Sequence, residues 1–349
     1  MMMERMLEKV KGVELMISII ALLIFSGGLL TACGRGEPST TDDIFKEIVR
    51  RNPDAVISVG IWQNEQEEKY IYTVDGKEAF FPYMYQIGSI TKTFTGAMIA
   101  YEENLGELVL SDGYPSMKRL VTHKSGLADQ WEQELLINPE KTFKRDEMYA
   151  MTDALKLAES GFLYSNFGSA LAGTRAAEIY GEHYGRENIS YQEAMNDFLV
   201  RELGLEETKV GGYGAFPDNW EWHEQDEMMA AGAIISNVPD LLKYGQRYLD
   251  KGERYFYLKS AISKQDSVDD DYDIGFFWLI DRESGIIWHN GELAMDSEGC
   301  TEVGYQSFIG ISPQKDKVVV ILSNSICNAE DGTAYTDILG YLLMEQELR

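Results

Sequence analysis

Positively charged side chains are scarce in this sequence. Its 349 residues include 31 Lys and Arg against 58 Asp and Glu, a formal net charge of -27 at pH 7. A surface this acidic repels phosphate backbones and anionic lipid headgroups. We therefore expect no nucleic-acid partner, whereas the acidity alone carries no information about a substrate.

Cysteine and histidine are also rare. There are three Cys and four His, and none of them is grouped with the spacing of a metal site. We expect no metal and no cofactor. Cys300 and Cys327 lie near the ends of predicted strands, and an even pair in an exported protein permits a disulfide without establishing one. Internal repeats and low-complexity tracts are absent as well.

The N-terminus has the pattern of a targeting segment. Basic residues up to Lys11 precede an uncharged run of 20 residues from Leu15 to Gly34, which contains Leu30-Thr-Ala-Cys33. This tetrapeptide resembles a bacterial lipobox, in which the cysteine receives a diacylglycerol that tethers the protein to a membrane. We predict a signal peptide over 1–32, lipidation of Cys33, a tether over 33–41 and an extracytoplasmic, membrane-anchored lipoprotein. An uncleaved anchor helix is the alternative, since the run is just long enough to span a bilayer.

The first motif with chemical content is Ser89-Ile-Thr-Lys92. Gly88 precedes it, and apolar residues at helical spacing predict a helix from Ser89 to about Asn104. Side chains three residues apart share one helix face, so the Lys nitrogen can reach the Ser oxygen. The helix N-terminus also favours a developing alkoxide. The alternative is that Ser89 only caps the helix and Lys92 is solvated.

A second Ser-x-x-Lys, Ser312-Pro-Gln-Lys315, lies between two strand-like runs. The proline after the serine predicts a turn, with no helix to direct the lysine.

Two further motifs follow in order along the chain, Tyr164-Ser-Asn166 and His289-Asn-Gly291. With Ser89-Ile-Thr-Lys92 they resemble the serine β-lactamase and penicillin-recognising family, in particular its class C, carboxypeptidase and esterase branch. Weaker phrases of the same family lie between them, such as Leu120-Val-Thr-His-Lys-Ser-Gly-Leu127. The resemblance extends from about residue 55 to the C-terminus.

The resemblance implies acyl transfer through a serine ester. Ser89 would attack a carbonyl, and Lys92 or Tyr164 would take its proton. The backbone amides of Ser89 and Glu292 would form an oxyanion hole. Asn166, His289, Gly291 and Glu292 would contact a small-molecule or peptide substrate, with Asn166 also bonded to Lys92. His123, in the family phrase Thr-His-Lys-Ser-Gly, is interpreted as structural.

The third motif departs from the family pattern. The β-lactamases usually carry a lysine where this chain has His289, and that lysine helps to hold the substrate carboxylate. A histidine is only fractionally charged near neutral pH, so its hold on a carboxylate should weaken as the pH rises. Glu292 and the acidic residues after it are expected to disfavour anionic substrates.

Three functions remain open on these grounds. We favour a D-alanyl carboxypeptidase or esterase-like hydrolase acting on cell-wall peptides, D-amino-acid derivatives or esters. A class C-like β-lactamase is the second, and a penicillin-binding sensor without turnover is the third. The oligomeric state is left open.

Strand patterns at both ends of the chain and helices between them predict an α+β fold. By the resemblance, this is an antiparallel sheet flanked by the N- and C-terminal helices, with an all-helical subdomain and the active site at the junction. The hydrolase domain is predicted over 42–349, with the helical insert at about 115–258. Strands are expected at 55–63, 69–74, 274–281, 285–289, 306–311 and 317–323, and a closing helix at 334–347.

Overall fold

The computed structural model describes residues 40–127, 141–154, 161–263, 265–294 and 303–348. The predicted signal peptide, Cys33, Cys300 and nearly all of the predicted tether lie outside these residues. The helices are Thr41–Arg51 (α1), Thr91–Leu105 (α2), Met117–Val121 (α3), Arg145–Ala154 (α4), Asn166–His183 (α5), Tyr191–Arg201 (α6), Val238–Gln246 (α7), Tyr255–Ser263 (α8) and Tyr335–Glu345 (α9).

Two sheets contain the strands. The strands are Ile57–Gln63 (β1), Gln66–Thr73 (β2), Gly76–Ala79 (β3), Tyr85–Gln86 (β4), Lys209–Val210 (β5), Ile234–Ser236 (β6), Asp266–Ser267 (β7), Tyr272–Gly275 (β8), Trp278–Asp281 (β9), Ile287–Ala294 (β10), Gly304–Ser312 (β11) and Lys317–Ser323 (β12). The large sheet is antiparallel in the order β3-β2-β1-β12-β11-β10-β9-β8-β7, so strands from both ends of the chain meet at its centre.

The central strands are buried on both faces, which explains their continuous apolar sequences. In β12, Val318, Val320 and Leu322 pack into the core shared with the helical part of the chain. Val319 and Ile321 point the opposite way, into a second core that α1 and α9 cover. Side chains therefore alternate between two apolar layers, as strand geometry requires.

The predicted arrangement of a sheet with terminal helices and a helical insert is confirmed. The insert also contains β5 and β6, which pair with β4 in a short three-stranded sheet beside Ser89. The strand expected over 274–281 is two strands, because Phe276 and Phe277 adopt positive φ and turn β8 back into β9. Strands β3, β4 and β7 lie outside the predicted strands. None of the described helices combines the length and apolar character needed to cross a membrane.

Candidate active site

Ser89 lies at a tight junction between a helix and the large sheet. Gly88 has a φ of +51°, and a 3-10 turn, Gly88–Ile90, leads into α2. A methyl group on residue 88 would lie 2.8 Å from the backbone nitrogen of Glu292 in β10. Glycine is required here both for the left-handed conformation and for this close approach. The turn leaves Ser89 half-buried at the first step of the helix.

Lys92 is one turn further along and has no exposed surface. Its Nζ donates to Ser89 Oγ at 2.8 Å and to the main-chain oxygen of Ala231 at 2.6 Å. Ala231 ends the second 3-10 turn, Glu227–Ala231, in the helical insert. The alternative of a solvated lysine is therefore wrong, because Lys92 is aimed at the serine from inside the protein.

Tyr164 approaches the same oxygen from the insert. Its hydroxyl donates to Ser89 Oγ at 2.7 Å, and Lys92 Nζ lies 4.9 Å from the centre of its ring. Ser165 caps α5 by accepting from the Gly168 amide, so the helix start fixes the backbone next to Tyr164. Two groups that each carry a removable proton thus converge on one serine, and the geometry leaves both Lys92 and Tyr164 open as the base.

Strand β10 brings its backbone against the serine turn. A methyl group on Gly291 would lie 2.1 Å from the oxygen of Ile87 and 2.9 Å from the backbone nitrogen of Ser89. Ser307 reinforces the contact, since its hydroxyl donates to Ile87 O at 2.9 Å. The amides of Ser89 and Glu292 consequently belong to adjoining backbone segments, the arrangement that a two-amide oxyanion hole needs. Their predicted role stays a prediction.

The environment of His289 differs from the solvent-exposed one on which its expected charge was based. It is 3% exposed, and its Nδ1 lies 2.6 Å from the oxygen of Asn290. Burial, together with the charge on Lys92, lowers the pKa of His289 to about 3. His289 is therefore neutral at neutral pH. The expectation of a fractional positive charge is wrong, and so is the expectation that its hold on a substrate carboxylate weakens as the pH rises.

The direction of the Glu292 side chain also differs from the expectation, because successive side chains along a strand point to opposite faces. Gly291 faces Ser89, so the Glu292 side chain lies on the other face of β10. There it accepts from the Gln306 side chain at 2.9 Å, and burial raises its pKa. Its backbone amide stays at the site, but the expectation that its carboxylate repels anionic substrates is not supported. The rest of the acidic stretch, 295–302, lies outside the described residues.

The remaining predicted residues are placed as follows. Asn166 is the first residue of α5 and half-buried, and its predicted bond to Lys92 stays a prediction. Cys327 is buried. Ser312 and Lys315 form the expected turn, in which the Lys315 amide donates to Ser312 Oγ at 3.2 Å. No group of three or more potential metal ligands occurs in the described part of the chain.

Sequence reasoning missed three contributors to the site. His123 packs against Tyr164, with ring centres 4.5 Å apart. Ala231 supplies the second acceptor for Lys92, a main-chain role that no residue type signals. Asp337 accepts from the Asn290 side chain at 2.7 Å behind β10. Only the His123 phrase gave a signal in the sequence.

Comparisons with known proteins identify relatives of this chain. The chain is 28% identical over 190 residues to a beta-lactamase of Providencia stuartii, covering 48% of this chain and 46% of that protein. It is 25% identical over 189 residues to one of Pseudomonas fluorescens, covering 48% and 49%. The chain therefore spans about half the length of the curated relatives it matches.

Solved structures show the same fold. A class C beta-lactamase superposes with a TM-score of 0.66 at 18% identity, covering 88% of this chain and 96% of the other. A structure described as a beta-lactamase/D-alanine carboxypeptidase from Pseudomonas syringae gives 0.67 at 16%, covering 88% and 98%. The family model described as Beta-lactamase matches residues 70–339, which is most of the sequence. The chain belongs to the beta-lactamase family.

Proposed function

We propose that this protein is a serine hydrolase that forms an acyl-enzyme on Ser89 and acts on esters and D-amino-acid derivatives. The observation that carries the proposal is the convergence of Lys92 Nζ and Tyr164 OH on Ser89 Oγ, at 2.8 and 2.7 Å. A serine that only caps a helix would not need two such partners. Either partner, once it has lost its own proton, can be the proton acceptor that a serine requires to become a nucleophile.

The proposed reaction has two halves. Ser89 Oγ attacks the carbonyl carbon, and its proton passes to Lys92 or Tyr164, whichever is deprotonated. The carbonyl oxygen becomes an oxyanion that the amides of Ser89 and Glu292 stabilise. The proton then goes to the leaving group as its bond to carbon breaks. Water then attacks the ester carbonyl and gives a proton to the same base, the bond between the carbonyl carbon and Ser89 Oγ breaks, and Ser89 takes that proton as the carboxylic acid leaves.

The leaving-group preference follows from the charge around His289. Its pKa of about 3 keeps it neutral, so it offers a hydrogen bond but no charge. The charge of Lys92 is turned toward Ser89 and the Ala231 oxygen. We therefore propose that leaving groups without a carboxylate, such as alcohols and amidated D-amino acids, are preferred over penicillins and over free D-alanyl carboxylates.

A β-lactamase is the second candidate, because the curated relatives bear that name. It predicts rapid turnover of a chromogenic cephalosporin. A penicillin-binding sensor predicts a stable adduct with no turnover. One assay that follows cephalosporin turnover and the lifetime of the adduct therefore distinguishes these two candidates from the first proposal.

The test compares the soluble chain from Gly34 onward with Ser89→Ala. Both are incubated with p-nitrophenyl esters, D-alanyl amides, D-alanyl-D-alanine peptides and a chromogenic cephalosporin, and adducts are followed by intact mass. We expect ester and amide turnover that vanishes in Ser89→Ala. Turnover that survives in Ser89→Ala would contradict the proposal, and a preference for the cephalosporin would identify the β-lactamase.

We also propose that Cys33 anchors the protein to the outer face of a membrane, on the lipobox-like Leu30-Thr-Ala-Cys33. Metabolic labelling of the full chain with a tritiated fatty acid tests this. We expect label in the wild type and none in Cys33→Ala. An unlabelled wild type that stays in the membrane fraction would instead indicate an uncleaved helix.

A further inference from the structure

His123 contacts the ring of Tyr164 and the backbone of both residues next to it in sequence. It follows α3, in the turn between that helix and Leu127. Its main-chain oxygen accepts from the Leu163 amide at 2.7 Å, and its ring Nδ1 accepts from the Ser165 amide at 3.2 Å. The ring itself lies against the Tyr164 ring, with centres 4.5 Å apart and planes inclined by 34°. One residue therefore holds the backbone on both sides of Tyr164 and also supports its ring.

The protonation state of His123 is consistent with this arrangement. The side chain is 1% exposed, and burial, followed by the charge of Lys92 and the proximity of His289, lowers the pKa of His123 well below its usual range. A neutral imidazole has one nitrogen without a proton, and Nδ1 must be that nitrogen to accept from Ser165. The proton is thus on Nε2, which is buried and has no hydrogen-bond partner among the described residues.

The backbone of His123 is in an unusual conformation. Its φ is +51°, in the left-handed region that residues other than glycine seldom adopt, although histidine, asparagine and aspartate do so more often than the rest. Such conformations cost free energy and persist where the surrounding structure holds them. Here the bonds to Leu163 and Ser165 do so, and Phe277 also packs against the ring, with centres 5.2 Å apart.

We propose that His123 is a positioning residue for Tyr164. It fixes the direction of the tyrosine hydroxyl toward Ser89 through the Ser165 amide and through ring contact. This inference rests on the proposed function, since His123 acts only through Tyr164. Its contribution should therefore appear in the rate of acylation and not in substrate affinity, and it should disappear when the Tyr164 hydroxyl is absent.

Two variants separate the contributions of the ring and of the acceptor. His123→Ala removes both. His123→Asn places an oxygen where Nδ1 was, retains the acceptor for Ser165, and tolerates a positive φ better than most residues. It removes only the ring contact. His183→Asn is the matched control, because His183 lies at the surface, where its Nδ1 is in hydrogen-bond contact with Glu107, and it makes no contact with Tyr164 or Ser89.

The experiment is a double-mutant cycle with Tyr164→Phe. The rate of Ser89 labelling by a fluorophosphonate is measured by intact mass, and kcat and KM are measured with p-nitrophenyl butyrate. We expect His123→Ala to lower the labelling rate and kcat roughly 10–100-fold, with KM changed less than about twofold. His123→Asn should recover part of this loss, and His183→Asn should behave as wild type.

In the Tyr164→Phe background, we expect His123→Ala and His123→Asn to cost less than about threefold further. An equal loss in both backgrounds would overturn the proposal, because it would indicate a general structural role. So would wild-type rates in both His123 variants. The His123→Asn cycle decides the question even where His123→Ala does not fold. Absence of Ser89 labelling in the wild type would instead overturn the proposed function together with this inference.

Discussion

Asn290 Nδ2 donates to Asp337 Oδ2 across 2.7 Å, joining the middle residue of the His-Asn-Gly motif to helix α9 on the far side of the sheet. Asp337 Oδ1 is buried without a partner among the described atoms. Burial, followed by the nearby charge of Glu292, raises the pKa of Asp337 to about 7. The strand that carries the motif is thus held from behind by a carboxyl group that is protonated in mildly acidic solution.

The raised pKa of Asp337 predicts a pH-dependent cost to stability. Between about pH 4 and 7 the unfolded chain releases this proton before the folded chain does, so the contribution of Asp337 to stability falls as the pH rises. Asp337→Asn cannot ionise and retains an acceptor for Asn290. We expect the variant to gain roughly 1–3 kcal/mol over wild type at pH 8 and nothing at pH 4. Urea unfolding at pH 4 and pH 8 measures this difference in the free energy of unfolding. Asp75→Asn, at an exposed position, is the control and should show no such difference from wild type.

Lys92 and Lys315 occupy equivalent positions in two copies of one sequence pattern. Lys92→Met removes a buried partner of Ser89, and we expect the rate of ester hydrolysis to fall about 10²–10⁴-fold. Lys315 lies in a turn and pairs with Glu345 at 2.9 Å, so Lys315→Met should change the rate less than about twofold. Equal effects in the two variants would show that Lys92 has no special role.

The close backbone contact at Gly291 predicts that no larger residue fits at this position beside Ser89. Gly291→Ala would place a methyl group 2.1 Å from Ile87 O, so β10 must move away from Ser89. We expect ester hydrolysis to fall at least about 10²-fold, the scale of a lost oxyanion donor. Gly161→Ala meets nothing within 4 Å and is the matched control. A fully active Gly291→Ala would rule out the oxyanion role of this strand.

The neutral state of His289 predicts that substrate binding does not change with pH. Because its pKa is about 3, it stays neutral from about pH 5.5 to 8.5. We expect the KM for a neutral p-nitrophenyl ester to be constant over this range, and acylation by benzylpenicillin to be slow. His289→Lys should accelerate penicillin acylation about tenfold or more by adding a cation for the carboxylate. A KM that follows a titration near pH 6.5 would contradict the neutral state.

Glu292→Gln is the companion variant. Its side chain lies on the far face of β10, bonded to Gln306, so we expect penicillin acylation to change less than about twofold. A large increase would mean that the carboxylate reaches the substrate, as the acidic character of this segment led us to expect from sequence.

The sequence by itself determined the main elements and the order of the motifs. Helical spacing after Gly88 predicts α2, and the apolar runs at 55–63 and 317–323 predict the two strands that pair at the centre of the sheet. These signals are local, since a helix face or a strand is defined by residues a few positions apart. The Ser89-to-Lys92 contact is of this kind, because the 3-10 turn that holds Ser89 continues directly into α2, which holds Lys92.

Only the tertiary structure decided the charge states of the side chains at the site and the directions in which they point. The state of His289 depends on burial by distant segments, and the direction of the Glu292 side chain depends on which face of β10 meets Ser89. The main-chain oxygen of Ala231 and the ring of His123 reach the site from parts of the chain far from Ser89 in sequence. Desolvation and long-range hydrogen bonds set these properties, and neither is encoded in the spacing of neighbouring residues.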